Sequence, residues 1–167
     1  MKFKVVINVK DTENAIEAVE AFKKKKYEGK DIRFTNVNMI SLNEKFRKKL
    51  FSKNDLFIDS TALWEMMQDI GGEGAHHFHG FSSKDIIDAL VAISEPYAII
   101  EVEYERHAVI TTAITHFNEQ IMIIIKIGSR IYSQANANIN KLITMYPKSD
   151  VDKTLSKIDK KSILYKK

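Results

Sequence analysis

All five histidines fall between residues 76 and 116, and histidine is the side chain that most readily exchanges a proton near neutral pH. His76, His77 and His79 share one loop, whereas His107 and His116 bound a predicted strand. The chain has no cysteine, which excludes disulfides, thiolate zinc sites and a cysteine nucleophile. Three interpretations of the loop stay open: acid–base catalysis without a metal, zinc binding through His76 and His79, and a structural role in capping backbone carbonyls.

Further polar residues follow the histidines along the chain. Arg106 comes after three glutamates at a predicted hairpin bend, where an arginine is either a solvated or paired surface residue or a phosphate ligand. Asn140, Thr144 and Tyr146 share the alternation of one predicted strand, with Lys148 just beyond, so we expect them to project from one face. This row is either the wet side of an edge strand or a wall that donates hydrogen bonds to phosphate or base.

The elements that precede these residues form two groups. Residues 1–54 are predicted to be a small accessory unit, because strand and helix patterns alternate there and a polar stretch follows. The predicted order is strand, helix, strand, helix, at residues 3–9, 12–26, 32–42 and 44–51.

Residues 55–167 are predicted to be the larger domain. Two helices come first, at residues 61–70 and 82–95, the second with a capping box of Ser82 and Asp85. Strands are then expected at residues 97–104, 107–116, 120–128 and 139–146, before a short helix over 150–158 and a strand over 163–165. Helices followed by strands predict an α+β fold, with the helices packed on one face of an antiparallel sheet. The uniformly apolar run 121–125 predicts a central strand that is covered on both faces.

The net charge of +4 is unevenly distributed. Residues 1–56 carry 14 basic and 8 acidic side chains, residues 57–147 carry 5 and 11, and residues 148–167 carry 7 and 3. The basic ends are suited to nucleic acid, because phosphate contacts supply much of that affinity, or else they serve solubility alone. Most of the basic residues are lysines, which are poorer bidentate phosphate ligands than arginine.

Several classes of protein are disfavoured by composition. No apolar run approaches the roughly 18–20 residues that cross a bilayer, and we expect no signal peptide. The six glycines are scattered, so no glycine-rich phosphate loop is predicted, and we expect no cofactor. We therefore expect a cytoplasmic site of action and no membrane partner.

The order of several short motifs resembles one group of nucleases. The motifs are His79-Gly80-Phe81-Ser82, Glu95-Pro96, Arg106 within a three-strand meander, Asn140-x-x-x-Thr144-x-Tyr146-x-Lys148 and Ile163-Leu164-Tyr165-Lys166. Over about residues 55–167 they resemble the phage-associated nuclease toxins of the barnase–EndoU–colicin–RelE (BECR) group. The resemblance implies a metal-independent ribonuclease in which helices pack on a curved antiparallel sheet and the active site lies on the sheet's open face.

The resemblance also implies roles for individual residues. His79 corresponds to the family's loop histidine, a base or acid, and Arg106 to a basic position at a strand end that binds phosphate. Thr144, Tyr146 and Lys148 correspond to a Ser/Thr-x-Tyr-x-Lys element of the last core strand. These five are the predicted catalytic residues, and no metal ligand is expected among them. The predicted substrate-binding residues are Asn140, His107 and His77.

Two alternative functions remain open from the sequence. One is a catalytically inactive member of the fold that binds RNA or a protein, and the other is a metal-dependent hydrolase with histidine ligands. The predicted partners are an RNA substrate, such as tRNA, and an immunity or antitoxin protein. A toxin of this kind would be delivered as part of a larger phage or secreted protein.

Overall fold

The computed structural model describes residues 4–46, 49–69, 78–103, 105–128 and 139–167. Within these ranges, eight strands form one sheet that is accompanied by five α-helices. The strands are β1 (Lys4–Asn8), β2 (Asp31–Thr35), β3 (Leu56–Asp59), β4 (Ala98–Val102), β5 (Arg106–Ile114), β6 (Gln120–Ile127), β7 (Asn140–Lys148) and β8 (Ile163–Lys166). The helices are α1 (Thr12–Lys24), α2 (Leu42–Phe46), α3 (Ser60–Met67), α4 (Ser83–Ala92) and α5 (Val151–Ser156).

The sheet is mixed, with the strand order β1-β2-β3-β7-β6-β5-β4-β8. The pairs β1–β2 and β3–β7 are parallel, and the remaining pairs are antiparallel. The predicted α+β class is confirmed. The sheet is larger and less uniformly antiparallel than the sequence predicted, because β1, β2 and β3 extend the antiparallel meander on one side.

The strand β3 was not predicted, since it has only four residues and follows a polar stretch. It pairs with β2 on one side and with β7 on the other. The predicted boundary after residue 54 therefore falls inside a continuous sheet. That residues 1–54 and 55–167 form separate units stays a prediction.

The segment after β2 also differs from its prediction as a strand over residues 32–42. Asn36 and Asn38 adopt positive φ values of 59° and 63°, a left-handed conformation that asparagine tolerates and that ends the strand. The second helix begins earlier than its predicted start at residue 44, so that Asn43 lies inside α2. The side chain of Asn43 forms two hydrogen bonds with the backbone of Phe51, accepting from the amide at 2.9 Å and donating to the carbonyl at 2.7 Å.

The two faces of the sheet are covered differently. On the first, which we call the helix face, α1, α3 and α4 enclose the main core, whose fully buried members include Val19, Leu63, Leu90 and Ile123. On the second, which we call the open face, α5 covers a smaller cluster with Val151 and Leu155. The strand β6 contributes alternate residues to both clusters, which confirms that it is central and covered on both sides.

Side-chain caps define the starts of α3 and α4, the two helices next to the cleft and the main core. The predicted capping box of α4 is confirmed, because Ser82 Oγ accepts from the Asp85 amide and the Asp85 carboxylate accepts from the Ser82 amide. α3 begins directly after β3, where Asp59 accepts from the Ala62 amide at 2.8 Å. Among the helices of the described ranges, none has the length and apolarity to cross a membrane.

Candidate active site

A cleft forms on the open face where α3 replaces a strand beside β7. The Phe57–Lys141 pair is the only register pair between β3 and β7 in the described ranges. Beyond it, β7 packs against α3, and the Met145 amide lies 3.1 Å from Met66 Sδ. Because α3 borders the sheet at this point, one of its sides joins the core while another forms a wall above the open face.

Polar side chains from three elements line this cleft, which has a volume of about 490 Å³. Glu65 comes from α3, Arg106 from β5, and Thr144 and Tyr146 from β7. The apolar part of the lining includes Ile124 and Ile143. The structure thus brings together three of the five predicted catalytic residues, which are separated by up to 40 positions in the sequence.

Strand register explains why these three residues share a face. Thr144 pairs with Ile124 and Tyr146 with Met122, and both β6 residues belong to or adjoin the open-face cluster. Arg106 pairs with Lys126, two positions further along β6, and therefore projects from the same face.

The prediction that Asn140 shares this face is wrong. The β6–β7 register shifts, so that Ile124 pairs with Thr144 but Ile125 pairs with Leu142, which leaves Ile143 as an extra residue in a β-bulge. Asn140 consequently pairs with Ile127, on the side of the main core, and is almost fully buried. Its amide nitrogen donates to the carbonyls of residues 53 and 55, at 2.9 and 3.2 Å, which ties β7 to the chain leading into β3.

Arg106 places a guanidinium group in the cleft. No ion pair between described residues includes its guanidinium. Its Nε atom is buried and has no hydrogen-bond partner within the described part of the chain. Since a buried donor without an acceptor is unfavourable, this guanidinium is suited to receive an anion such as phosphate.

Glu65 is a cleft residue that residue type and spacing alone did not indicate. It is the only charged residue of α3, and its side chain is partly buried where it lines the cleft. The sequence did contain one indication of its role, a single carboxylate in a helix that is otherwise uncharged. The direction in which this side chain points depends on the position of α3 beside β7, which the sequence pattern does not show. A carboxylate in this position can accept a proton from a bound hydroxyl.

His79 lies next to the cleft, against Tyr146. Their ring centroids are 5.1 Å apart in an edge-to-face arrangement. The segment is fixed to the end of α3, because the Gly80 amide donates to the Gln68 carbonyl at 2.8 Å and the Phe81 amide to the Met66 carbonyl at 3.2 Å. Gly80 has a φ of 67°, which a residue without a side chain adopts at no steric cost.

A row of basic residues crosses the open face and ends at the cleft. Arg33, Lys141, Lys126 and Arg106 occupy one transverse line of the register, interrupted by Phe57 on β3. Arg33 is paired with Asp55 through Nε and Nη2, at 2.9 and 2.6 Å. Three of these residues, Lys141, Lys126 and Arg106, belong to residues 57–147, whose overall charge is negative.

The remaining predicted residues lie elsewhere. His107 is buried on the helix face, where it lines a second cavity of about 580 Å³ together with Glu101 and Glu105. Lys148 lines a third pocket beside α5, so it does not join Arg106 in the cleft. His77 lies outside the described residues, as does His76, the predicted zinc ligand.

The described residues form no candidate metal site, and comparisons with other proteins identify no relative. Among the described residues, no group of three or more histidine, aspartate or glutamate side chains is arranged to hold a metal ion. Comparisons of the chain with protein-family models, with curated proteins and with solved structures find no match. The residues of the cleft therefore provide the basis for inferring function.

Proposed function

We propose that this protein is a metal-independent endoribonuclease, with a BECR-like active site on the open face of its sheet. The observation that carries the proposal is the presence of Glu65, Arg106, Thr144 and Tyr146 in one cleft, with His79 against Tyr146. Cleavage of RNA by its own 2′-hydroxyl requires a base, an acid and stabilisation of a doubly charged transition state. This set of side chains contains a candidate for each requirement.

In the proposed reaction, the Glu65 carboxylate accepts the proton of the 2′-hydroxyl as the 2′-oxygen attacks the adjacent phosphorus. Arg106 binds the non-bridging phosphate oxygens and stabilises the charge that develops on them. Protonated His79 donates its proton to the departing 5′-oxygen, and the P–O5′ bond breaks. The products are a 2′,3′-cyclic phosphate and a 5′-hydroxyl, and the enzyme is left with protonated Glu65 and neutral His79.

The other cleft residues position the substrate in this proposal. The hydroxyl of Tyr146 donates a hydrogen bond to phosphate, and its ring also orients His79 by direct contact. Thr144, whose hydroxyl donates to the Met145 carbonyl at 3.4 Å, forms the neighbouring part of the cleft wall. Lys126 and Lys141 lie along the line from Arg106, where they attract the neighbouring phosphates of the strand.

The test is cleavage of a labelled RNA oligonucleotide in the presence of EDTA, with identification of the terminal group. The unmodified protein should release a 2′,3′-cyclic phosphate. Glu65→Gln and His79→Gln should each lower kcat by roughly 10²–10⁴-fold, because each removes one partner of general acid–base catalysis. Circular dichroism establishes that each variant is folded.

Matched controls use the same substitutions outside the cleft. Glu17→Gln changes an exposed residue of α1, and His116→Gln changes a histidine whose Nδ1 lies 2.6 Å from Asp85 near the start of α4. Both should retain cleavage. RNA binding without cleavage by the unmodified protein would contradict the proposal and favour the inactive binding module. Cleavage that is lost in EDTA and restored by zinc would favour the metal-dependent alternative.

A further inference from the structure

A lysine-rich surface lies at the C-terminal end of α1, which packs against α3, the helix that carries the cleft residue Glu65. Residues 23–30 contain five lysines and a single glutamate. Lys24, Lys25 and Lys26 are exposed, and none of them forms an ion pair with another described residue. We call this surface, together with Tyr27, Trp64 and Phe78, the lysine platform.

Aromatic rings hold the ammonium groups of the lysine platform in place. Lys26 Nζ lies 5.1 Å from the ring centroid of Trp64. Lys25 Nζ and Lys30 Nζ lie 5.0 and 4.3 Å from the ring of Tyr27. A cation–π contact positions an ammonium group but, unlike a carboxylate, does not neutralise its charge. Lys25 and Lys26 therefore carry positive charges that the rings position and that no ion pair with another described residue neutralises.

The lysine platform is joined to the cleft through α3. Gln68 Nε2 donates to the carbonyls of Lys23 and Trp64, at 3.2 and 3.0 Å, and so links the end of α1 to α3. Trp64 is the neighbour of Glu65 in α3, and its ring meets that of Phe78 edge to face at 5.6 Å. Phe78 in turn precedes His79, which contacts Tyr146.

We infer that the lysine platform binds the phosphates of single-stranded RNA next to the nucleotide that occupies the cleft. The inference rests on the proposed function, since it extends the same substrate beyond the reacting phosphate. A positively charged surface that follows the nucleic-acid backbone is typical of single-strand binding, because the phosphate of every nucleotide can contact a lysine. Because lysine acts as a point charge, this surface binds RNA without regard to sequence.

The test measures binding of a 2′-O-methyl RNA oligonucleotide, which has no 2′-hydroxyl and cannot be cleaved by the proposed reaction. Trp64 is the only tryptophan in the chain, so quenching of intrinsic fluorescence reports contact at the platform directly. Affinity is measured against salt concentration for the unmodified protein and for a triple variant with Lys24→Gln, Lys25→Gln and Lys26→Gln. The matched control replaces three exposed lysines near the far edge of the sheet, Lys160→Gln, Lys161→Gln and Lys167→Gln.

We expect quenching on binding and a decrease of about 2 in the slope of log affinity against log salt for the platform variant, since each single-strand phosphate contact contributes about 0.7. The control should keep the slope of the unmodified protein. An equal slope in the platform variant, or equal decreases in both variants, would overturn the inference. Tighter binding of an acidic polyglutamate peptide than of the oligonucleotide would also overturn it, in favour of an acidic protein partner.

The experiment separates this inference from the proposed function, because binding of the methylated strand requires no catalysis. If the unmodified protein cleaves no RNA while the slope decreases as expected, only the proposed ribonuclease activity fails. If RNA is cleaved and the platform variant keeps the salt slope of the unmodified protein, only the inference that the lysine platform binds RNA is contradicted.

Discussion

The two faces of the central sheet use the same strands for different purposes. On the helix face, alternate residues of β5 and β6 pack against three helices in a closed apolar core. On the open face, the intervening residues meet α5 over part of the sheet and otherwise border the cleft. The difference indicates that closing one face supplies stability, whereas leaving the other partly uncovered lets charged groups lie on a rigid support without being fully desolvated.

The largest expected difference between the faces concerns two neighbouring residues of β6. Ile123 is fully buried in the main core, while Ile124 borders the cleft. Ile123→Ala should lower the free energy of unfolding by about 2–5 kcal/mol, because it leaves a closed cavity. Ile124→Ala should lower the free energy of unfolding by less, because the space that the truncated side chain leaves is continuous with the cleft. Urea denaturation of both variants measures the difference, and equal losses would contradict it.

A second prediction concerns Asn140, which the bulge in β7 turns away from the cleft. Asn140→Ala should lower the free energy of unfolding by about 1–3 kcal/mol, because two backbone carbonyls lose their donor. RNA cleavage at a temperature where the variant is folded should be unchanged. A loss of cleavage by the folded variant would show that Asn140 takes part in the reaction, and it would contradict the assignment of the site to the open face alone.

The open face gives the converse result at Tyr146. Tyr146→Phe keeps the ring that contacts His79 but removes the hydroxyl from the cleft. We expect kcat for RNA cleavage to fall about tenfold, which corresponds to roughly 1.4 kcal/mol of transition-state stabilisation. Tyr165→Phe, in the edge strand β8 and outside both the cleft and the lysine platform, serves as the control for loss of a tyrosine hydroxyl. Equal cleavage by both variants would remove Tyr146 from the proposed site.

The smallest effect concerns the part of the open face that α5 covers. The hydrogen bond from the Tyr97 hydroxyl to Asp152, at the start of α5, raises the pKa of Tyr97 above its usual value. A raised pKa in the folded state means that this contribution to stability is present below about pH 10 and is lost as the pH rises through the raised pKa. In an ultraviolet titration of the tyrosines, the contribution of Tyr97 should appear above the usual pKa, should move to lower pH in Asp152→Asn and should be lost in Tyr97→Phe. An unchanged titration curve in Asp152→Asn would contradict the assignment.

Much of the fold followed from local patterns in the sequence. The capping box at Ser82, the apolar run of β6 and the α+β class are all confirmed, because each depends on neighbouring residues. The strand β3 was missed because its four residues become a strand only through pairing with β2 and β7. The specific BECR resemblance stays part of the proposal.

The candidate site was only partly predictable. Residue type and spacing drew attention to Arg106, Thr144 and Tyr146, and the BECR resemblance implied their catalytic roles. All three line the cleft. Glu65 was missed because its role depends on where α3 lies, and Asn140 was wrongly placed because an extra residue in a strand reverses the alternation that follows it. Such features depend on contacts between distant segments, which periodicity does not record.

Arg106 and His107 provide the most direct test of the central claim, since they are adjacent on β5 and project from opposite faces. The measurement is kcat/KM for RNA cleavage by Arg106→Gln and His107→Gln, each at a temperature where urea denaturation shows it to be folded. We predict a loss of at least roughly a hundredfold for Arg106→Gln, because the transition-state charge loses its cation, and near-normal cleavage for His107→Gln. Normal cleavage by Arg106→Gln, or loss of cleavage by folded His107→Gln, would contradict the assignment of chemistry to the open face.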